Sequence, residues 1–285
     1  MFPLLLTLLL VDDDPLAAQL KTAKEEYAQR LEALKEPTLE WFEAETSSRK
    51  GKRALVAELA ELRTYFEKNG EPPPLLPREL QQRYAEVAKD LEGWYATAVR
   101  EYRRARLDVK ADAAAKEWLQ FRINGRGTIQ PEIRDGEKCL IIARCSGLAL
   151  TVDSGSAAAV GAVVIQQPAD ERDETQHWLV VVQKAGTTPL FSFQSRRYRL
   201  WMQVGPWPYP NGAPIVLAAG EGNGRDQRWL PIQRGAWLGF RGAESGRMLG
   251  IPEGNPRAGT RLIQWVPTSE DAQRFRILPV RITAK

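Results

Sequence analysis

The chain has 285 residues, 43% of them hydrophobic and 27% charged, with a formal net charge of +4. That length accommodates two domains, and the charge divides unevenly: residues 12–121 carry 19 Lys+Arg against 22 Asp+Glu, and residues 122–285 carry 21 against 14. One histidine and no Cys-x-x-Cys pair exclude zinc chemistry, and no other metal or cofactor site is expected.

Leu4 to Val11 form an apolar run after Met1-Phe2-Pro3. A spanning helix needs about 20 residues, so the run is too short to cross a bilayer. Its length suits a signal-peptide core, which predicts export to the periplasm, cell surface or medium. No Lys or Arg precedes it, and Asp12-Asp13-Asp14 follows where an Ala-x-Ala site would stand. The other reading is that residues 1–14 dock on the helical domain.

Residues 15–121 read as a helical coiled-coil domain, rich in Ala, Leu, Glu, Lys and Arg. Asp14-Pro15 is a cap followed by proline at the first turn. Leu16, Leu20, Ala23, Tyr27, Leu31, Leu34, Thr38, Trp41 and Glu45 then recur at steps of mostly 4 and 3, a coiled-coil seam. Pro37 is a candidate kink, and Thr46 to Lys52 end this helix. A second helix places Leu55, Leu59, Leu62 and Phe66 on one face and stops at Asn69-Gly70 before Pro72-Pro73-Pro74. A third starts near Arg78, sets Leu80, Tyr84, Val87, Leu91, Trp94, Ala98 and Tyr102 in one stripe, and continues to about Phe121.

Single apolar stripes predict an antiparallel hairpin or a three-helix coiled coil. The cluster Arg100, Arg103, Arg104 and Arg106 is interleaved with Glu101 and Asp108, which points to a solvated, salt-bridged face and not to nucleic acid. This half shows no carboxylate pair, nucleophile or phosphate loop. It reads as architectural and as a place where a protein partner could dock.

Residues 122–136 read as a linker and residues 137–281 as an all-β unit. Cys139 and Cys145 sit in its first apolar segment. On one extended strand they would stand about 20 Å apart, too far for a disulfide, so both read as buried thiols. A Gln-x-aromatic triplet then recurs as Gln176-His177-Trp178, Gln227-Arg228-Trp229 and Gln273-Arg274-Phe275, its glutamines 51 and 46 residues apart. Gly161, Gly212 and Gly259 precede these by 15, 15 and 14 residues, each followed by an apolar run. Such a period marks an internal repeat, and three copies predict a three-fold object.

The triplets, the glycines and the opening segments Ser146 to Val152, Arg199 to Val204 and Gly246 to Ile251 resemble the ricin B-chain lectin family. The resemblance covers about half the chain and implies a β-trefoil, so the fold expected overall is multidomain, α followed by all-β. It also implies that Trp178, Trp229 and Phe275 lie in the core and that the glutamines hold turns. In sugar-binding members each active lobe supplies an Asp late in its opening strand, an aromatic about six residues after the glycine, and an Asn or Asp before the triplet. A carboxylate there accepts from sugar hydroxyls while the ring stacks on the C–H face. Here the acid positions hold Thr151, Gln203 and Gly250, the platform positions hold Gln167, Ala218 and Trp265, and the pre-triplet positions hold Thr175, Asp226 and Ala272.

No lobe keeps the full set. The third, with Trp265 as platform and Glu253 or Asn255 in place of the lost Asp, is the expected carbohydrate-binding lobe. The second, with Gln203 and Asp226, is weaker, and the first is expected to be silent. Trp207, in a proline-rich loop with Tyr209, is a candidate contact residue. His177 is expected at the surface or an interface, and Gly220 to Gly224 form a flexible turn and not a phosphate loop. The reading is a non-enzymatic lectin-like trefoil on a helical spacer with a glycan partner. Its competitor is a module binding anionic polysaccharide or acidic protein, since 18 of the 21 basic residues from Arg122 onward are Arg, with Arg196, Arg197 and Arg199 in one run.

Overall fold

The computed structural model describes residues 14–129, 133–153, 155, 160–185, 188–206, 208–234, 236–268 and 270–281. The apolar run Leu4 to Val11 and the candidate contact residue Trp207 lie outside them. Four helices come first: α1 Pro15–Ser48, α2 Arg53–Asn69, α3 Arg78–Arg104 and α4 Asp108–Asn124. None of the described helices is long and apolar enough to cross a membrane.

Asp14 caps α1, accepting from the amides of Leu16 and Ala17 at 3.1 Å each. Its other oxygen accepts from Tyr102 Oη at 2.8 Å and Lys110 Nζ at 2.9 Å. The Lys110 bond leads in pulling the Asp14 pKa down to about 2. α1 runs on through Pro37 and buries Leu20, Ala23, Tyr27, Leu34, Thr38 and Phe42. Phe42 thus takes the buried step expected of Trp41. α2 ends as its sequence predicts, with Gly70 at φ 67°.

The third helix expected to reach Phe121 is two helices. α3 stops at Arg104, Arg106 turns left-handed at φ 58°, and the Leu107 amide bonds back to the Tyr102 carbonyl at 2.9 Å. That is a helix-ending motif built on arginine where glycine or asparagine is usual, so composition did not mark it. The chain turns back and α4 packs on α3 through Ala111 and Ala114, giving four helices instead of three. Within α3, Trp94 is 41% exposed and Tyr95 is buried in its place, because the step after Leu91 is four and not three.

Twelve strands follow: β1 Glu137–Ala143, β2 Ala149–Val152, β3 Val164–Gln167, β4 Trp178–Ala185, β5 Thr188–Ser195, β6 Trp201–Val204, β7 Ile215–Ala218, β8 Trp229–Arg234, β9 Trp237–Gly242, β10 Met248–Gly250, β11 Ile263–Trp265 and β12 Phe275–Pro279. β1 pairs with β4, β4 with β5, β5 with β8, β8 with β9, β9 with β12 and β12 with β1, a closed six-stranded barrel. The hairpins β2–β3, β6–β7 and β10–β11 cap one end, one from each lobe of four strands.

The three-fold repeat is visible bond by bond. Gly161 N donates to Leu217 O in the second lobe, Gly212 N to Gln264 O in the third, and Gly259 N to Gln166 O in the first, at 2.7, 2.9 and 2.8 Å. Each acceptor immediately precedes a platform position, so the ring of bonds closes on itself. The glycines are required by conformation: their φ angles are 82°, 83° and 80°. This is a β-trefoil. Trp178, Trp229 and Phe275 are fully buried in its core beside Phe193 and Phe240. Cys139 joins them, and burial pushes its thiol pKa up. Cys145 is not the second core thiol that was expected: β1 ends at Ala143, and Cys145 lies half-buried in the turn beyond it.

Two buried ion pairs clamp the helices to the trefoil. Arg122 Nη1 of α4 donates to Glu171 Oε1 at 2.6 Å, and its Nη2 donates to the Pro279 carbonyl. Arg276 Nη2 of β12 donates to Glu71 Oε2 at 2.9 Å, an oxygen that also accepts from Trp237 Nε1 at 2.8 Å. Arg276 Nη1 reaches the Arg122 and Ile123 carbonyls at 3.3 and 3.4 Å, capping the negative end of α4. Gly125 is bare for this reason, since a Cβ there would sit 1.5 Å from Arg276 Nη1.

Candidate functional site

Each triplet glutamine fastens the loop before it. Gln176 accepts from Asp170 N and donates to Pro168 O, Gln227 accepts from Gly222 N and donates to Ala219 O, and Gln273 accepts from Thr268 N and donates to Val266 O. This sets the acid and pre-triplet positions of each lobe side by side, and the three lobes then differ.

In the first lobe, the hydroxyls of Thr151 and Thr175 share a hydrogen bond at 2.8 Å, and Asp173 Oδ1 lies 2.6 Å from Thr175 Oγ1 and 2.9 Å from Thr175 N. A carboxylate therefore stands two residues before the expected place, at the cap of the turn Glu174–Gln176. These groups floor a cleft of about 700 Å³ whose far wall is α4, with Lys116, Leu119 and Ala115 facing the trefoil. Asp112 of α4 closes the rim, accepting from Arg103 at 3.1 Å and from Arg172 at 2.9 Å. Three cations and five carboxylates border the cleft, so its field favours neutral over anionic ligands.

His177 is 3% exposed, not the surface or interface residue expected from its place in the triplet. Its Nε2 lies 2.9 Å from the Glu171 carbonyl, and burial pushes its pKa down, so a neutral ring braces the loop that holds Glu171.

In the second lobe, Gln203 Oε1 accepts from Gln227 Nε2 at 3.0 Å. Asp226 stands half-buried beside it in the turn Arg225–Gln227, and Tyr209 is near enough for both Asp226 and Glu244 to bear on its ionisation. The platform position is Ala218.

In the third lobe, Trp265 is 42% exposed at the end of β11, opposite Met248 and against Gly212. Its acid position is bare: a Cβ on Gly250 would meet Gln273 Cγ at 3.3 Å. Glu253 is exposed with φ 53°. The Asn255 side chain accepts from Arg257 N at 3.1 Å, and its carbonyl accepts from Gln166 Nε2 of the first lobe at 2.6 Å. Asn255 is thus committed to a turn that leans on the first lobe, and among the described residues no bond links it to Trp265.

Sequence reasoning missed Asp173 and the α4 wall. Asp173 was visible as an acid three residues before Gln176. The wall depends on how helix and trefoil dock, which no local pattern encodes.

The architecture defines a class: a helical domain clamped to one β-trefoil. No family model matches the chain, and no curated sequence matches it. Its trefoil half is similar to ThreeFoil, a designed three-fold symmetric protein, at 24% identity over 50% of this chain and 99% of that one, with a TM-score of 0.45. The Rhizoctonia solani agglutinin is 15% identical over 52% of this chain and 99% of its own, at 0.44. A Macrolepiota procera ricin B-like lectin, solved in complex with lactose, is 14% identical over 52% and 99%, at 0.43.

Proposed function

We propose that the protein is a non-enzymatic carbohydrate-binding trefoil on a helical support, with its working site in the first-lobe cleft. The observation that carries this reading is the chain Thr151–Thr175–Asp173 on the cleft floor. Two hydroxyls and a carboxylate offer the donors and acceptors that vicinal sugar hydroxyls need. Apolar flanks from Val152, Ile165 and Leu119 replace the missing aromatic platform. The volume suits one or two sugar rings. The excess of carboxylates argues for a neutral glycan in this cleft. An anionic polysaccharide would need the exposed Arg196, Arg197 and Arg199 turn instead.

Trp265 supports a second, weaker contact, since an exposed ring can stack on a sugar face for about 1 kcal/mol. With Gly250 bare and Asn255 bound elsewhere, Glu253 is the remaining partner, and millimolar affinity is expected there. Gln203 and Asp226 make the second lobe a lesser candidate. Action outside the cell is proposed on the strength of the apolar Leu4 to Val11 run, and the mass of the protein recovered from its source, which would reveal cleavage, tests that.

A glycan array of neutral and sulfated glycans, probed with the full-length protein, tests the function. Binding of a neutral glycan that falls at least about tenfold on Thr151→Val or Asp173→Asn, and less on Trp265→Ala, is expected. Silence on every neutral glycan would end the carbohydrate reading, and retention confined to sulfated glycans would transfer it to the arginine turn. Hydrolysis of any bound glycan would overturn the non-enzymatic assignment.

A further inference from the structure

A second cavity, of about 780 Å³, lies between α3, α4 and the end of β12, bordered by different residues from those of the first-lobe cleft. One face of α3, from Arg78 to Glu92, forms its long wall and carries two cations, Arg78 and Lys89. Eleven residues at 1.5 Å each set their Cα atoms about 16 Å apart. Between them Ala85 and Ala88 leave the space open, and Trp118, Leu278 and Pro279 supply an apolar opposite wall.

The charged lining is mostly cationic, with Glu92 the carboxylate among it, and Gln81, Gln82 and Thr128 add neutral polar groups. Arg122, Arg276 and Arg281 also border the cavity, each paired with a carboxylate, Glu171, Glu71 and Glu92 respectively. Arg78 and Lys89 form no ion pair among the described residues. Two N–H donors of the surrounding residues, Trp118 Nε1 and Arg276 Nε, have no hydrogen-bond partner among the described residues, but both atoms are buried away from the open space. Native interiors rarely leave such donors unmet.

An apolar middle flanked by two cations that are unpaired among the described residues defines a ligand by chemistry: one anionic head on an apolar body. We infer that this interdomain cavity binds a small organic monoanion, a medium-chain or aryl carboxylate, with its head on Arg78 or Lys89 and its body against Ala85, Ala88 and Trp118. Because it touches helices and trefoil together, such a ligand also stabilises their docking by mass action. Arg78 and Lys89 face solvent and can move onto a head group without breaking any ion pair among the described residues, which makes entry inexpensive.

Calorimetric titration of the full-length protein with octanoate tests this, with octan-1-ol as the uncharged match and acetate as the head alone. Saturable one-to-one binding of octanoate is expected, at least about tenfold tighter than either control. The double variant Arg78→Gln/Lys89→Gln, which removes exposed side chains outside any ion pair among the described residues, should weaken it at least about tenfold. Ala88→Phe should weaken it as much by filling the cavity while leaving the cations in place. No saturable octanoate binding up to about 10 mM would overturn the assignment, as would octan-1-ol binding equally well or affinity unchanged in both variants.

Discussion

Glu71 is the residue on which the helix–trefoil junction turns, and Glu71→Gln tests it with little change of shape. The carboxylate accepts from Arg276 at 2.9 Å, Trp237 at 2.8 Å and Tyr65 at 2.9 Å. The Arg276 and Glu71 side chains are only 2% and 5% exposed. At an effective dielectric of about 20, unit charges so close attract by about 6 kcal/mol. The amide still accepts hydrogen bonds, the α4 carbonyls still face the guanidinium, and the Trp237 ring remains 4.3 Å from it. The expected loss is therefore about 3 kcal/mol, the lower end for breaking a buried pair. Urea unfolding followed by tryptophan fluorescence should show the midpoint fall. Glu71→Gln/Arg276→Met should recover part of the loss, because it removes the stranded charge. A Glu71→Gln protein within about 1 kcal/mol of the parent would refute the claim that this charge is desolvated and carried by one partner.

Gly125→Ala should cost about 2 kcal/mol or more, since φ 70° disfavours any side chain and the new Cβ would displace the Arg276 guanidinium from the end of α4; an unchanged thermal midpoint would contradict this. His177 gives a pH signature. Its folded pKa lies below the ordinary 6.5 because burial penalises the charged ring, so the unfolded chain takes up the proton first. Its contribution is whole above pH 6.5 and is lost as pH falls through the folded value. The stability gap between parent and His177→Gln should narrow from pH 8 towards pH 5, and a constant gap would refute the assignment.

The trefoil was legible because its defining residues are local and repeated. A glycine at positive φ, an apolar run and a glutamine that fastens its own loop all act within some 20 residues, so each repeat carries its own instructions in sequence. The buried faces of α1 and α3 were legible in the same way, through period, and they slipped only by single steps at Phe42 and Tyr95. The break at Arg106 was not, because arginine holds a conformation that sequence patterns assign to glycine. Glu71, Arg122 and Arg276 were illegible for a further reason. A charged residue reads as surface until its partner, 205 residues away for Glu71 and Arg276, is placed beside it. Asp173 fell between these cases, present near the triplet but outside the expected offset.

The same distinction explains why the lobes diverge at their candidate sites while agreeing in fold. Core positions Trp178, Trp229 and Phe275 face a shared interior, so any change in one is felt by all three. Positions Thr151, Gln203 and Gly250 each sit over their own loop: the Thr151 and Gln203 side chains bond Thr175 and Gln227, while Gly250 has no side chain and lies close against Gln273. Docking of α4 then breaks the symmetry, because it walls the first lobe and leaves Trp265 of the third open to solvent. A lobe with a wall can hold a ligand by enclosure and hydrogen bonds without an aromatic platform. A lobe without one must rely on stacking. On that reasoning the glycan binding proposed for the first-lobe cleft should be lost when α4 is displaced by Leu119→Asp, whereas any weak binding at Trp265 should persist. Equal loss at both sites would show that the lobes still work as one unit.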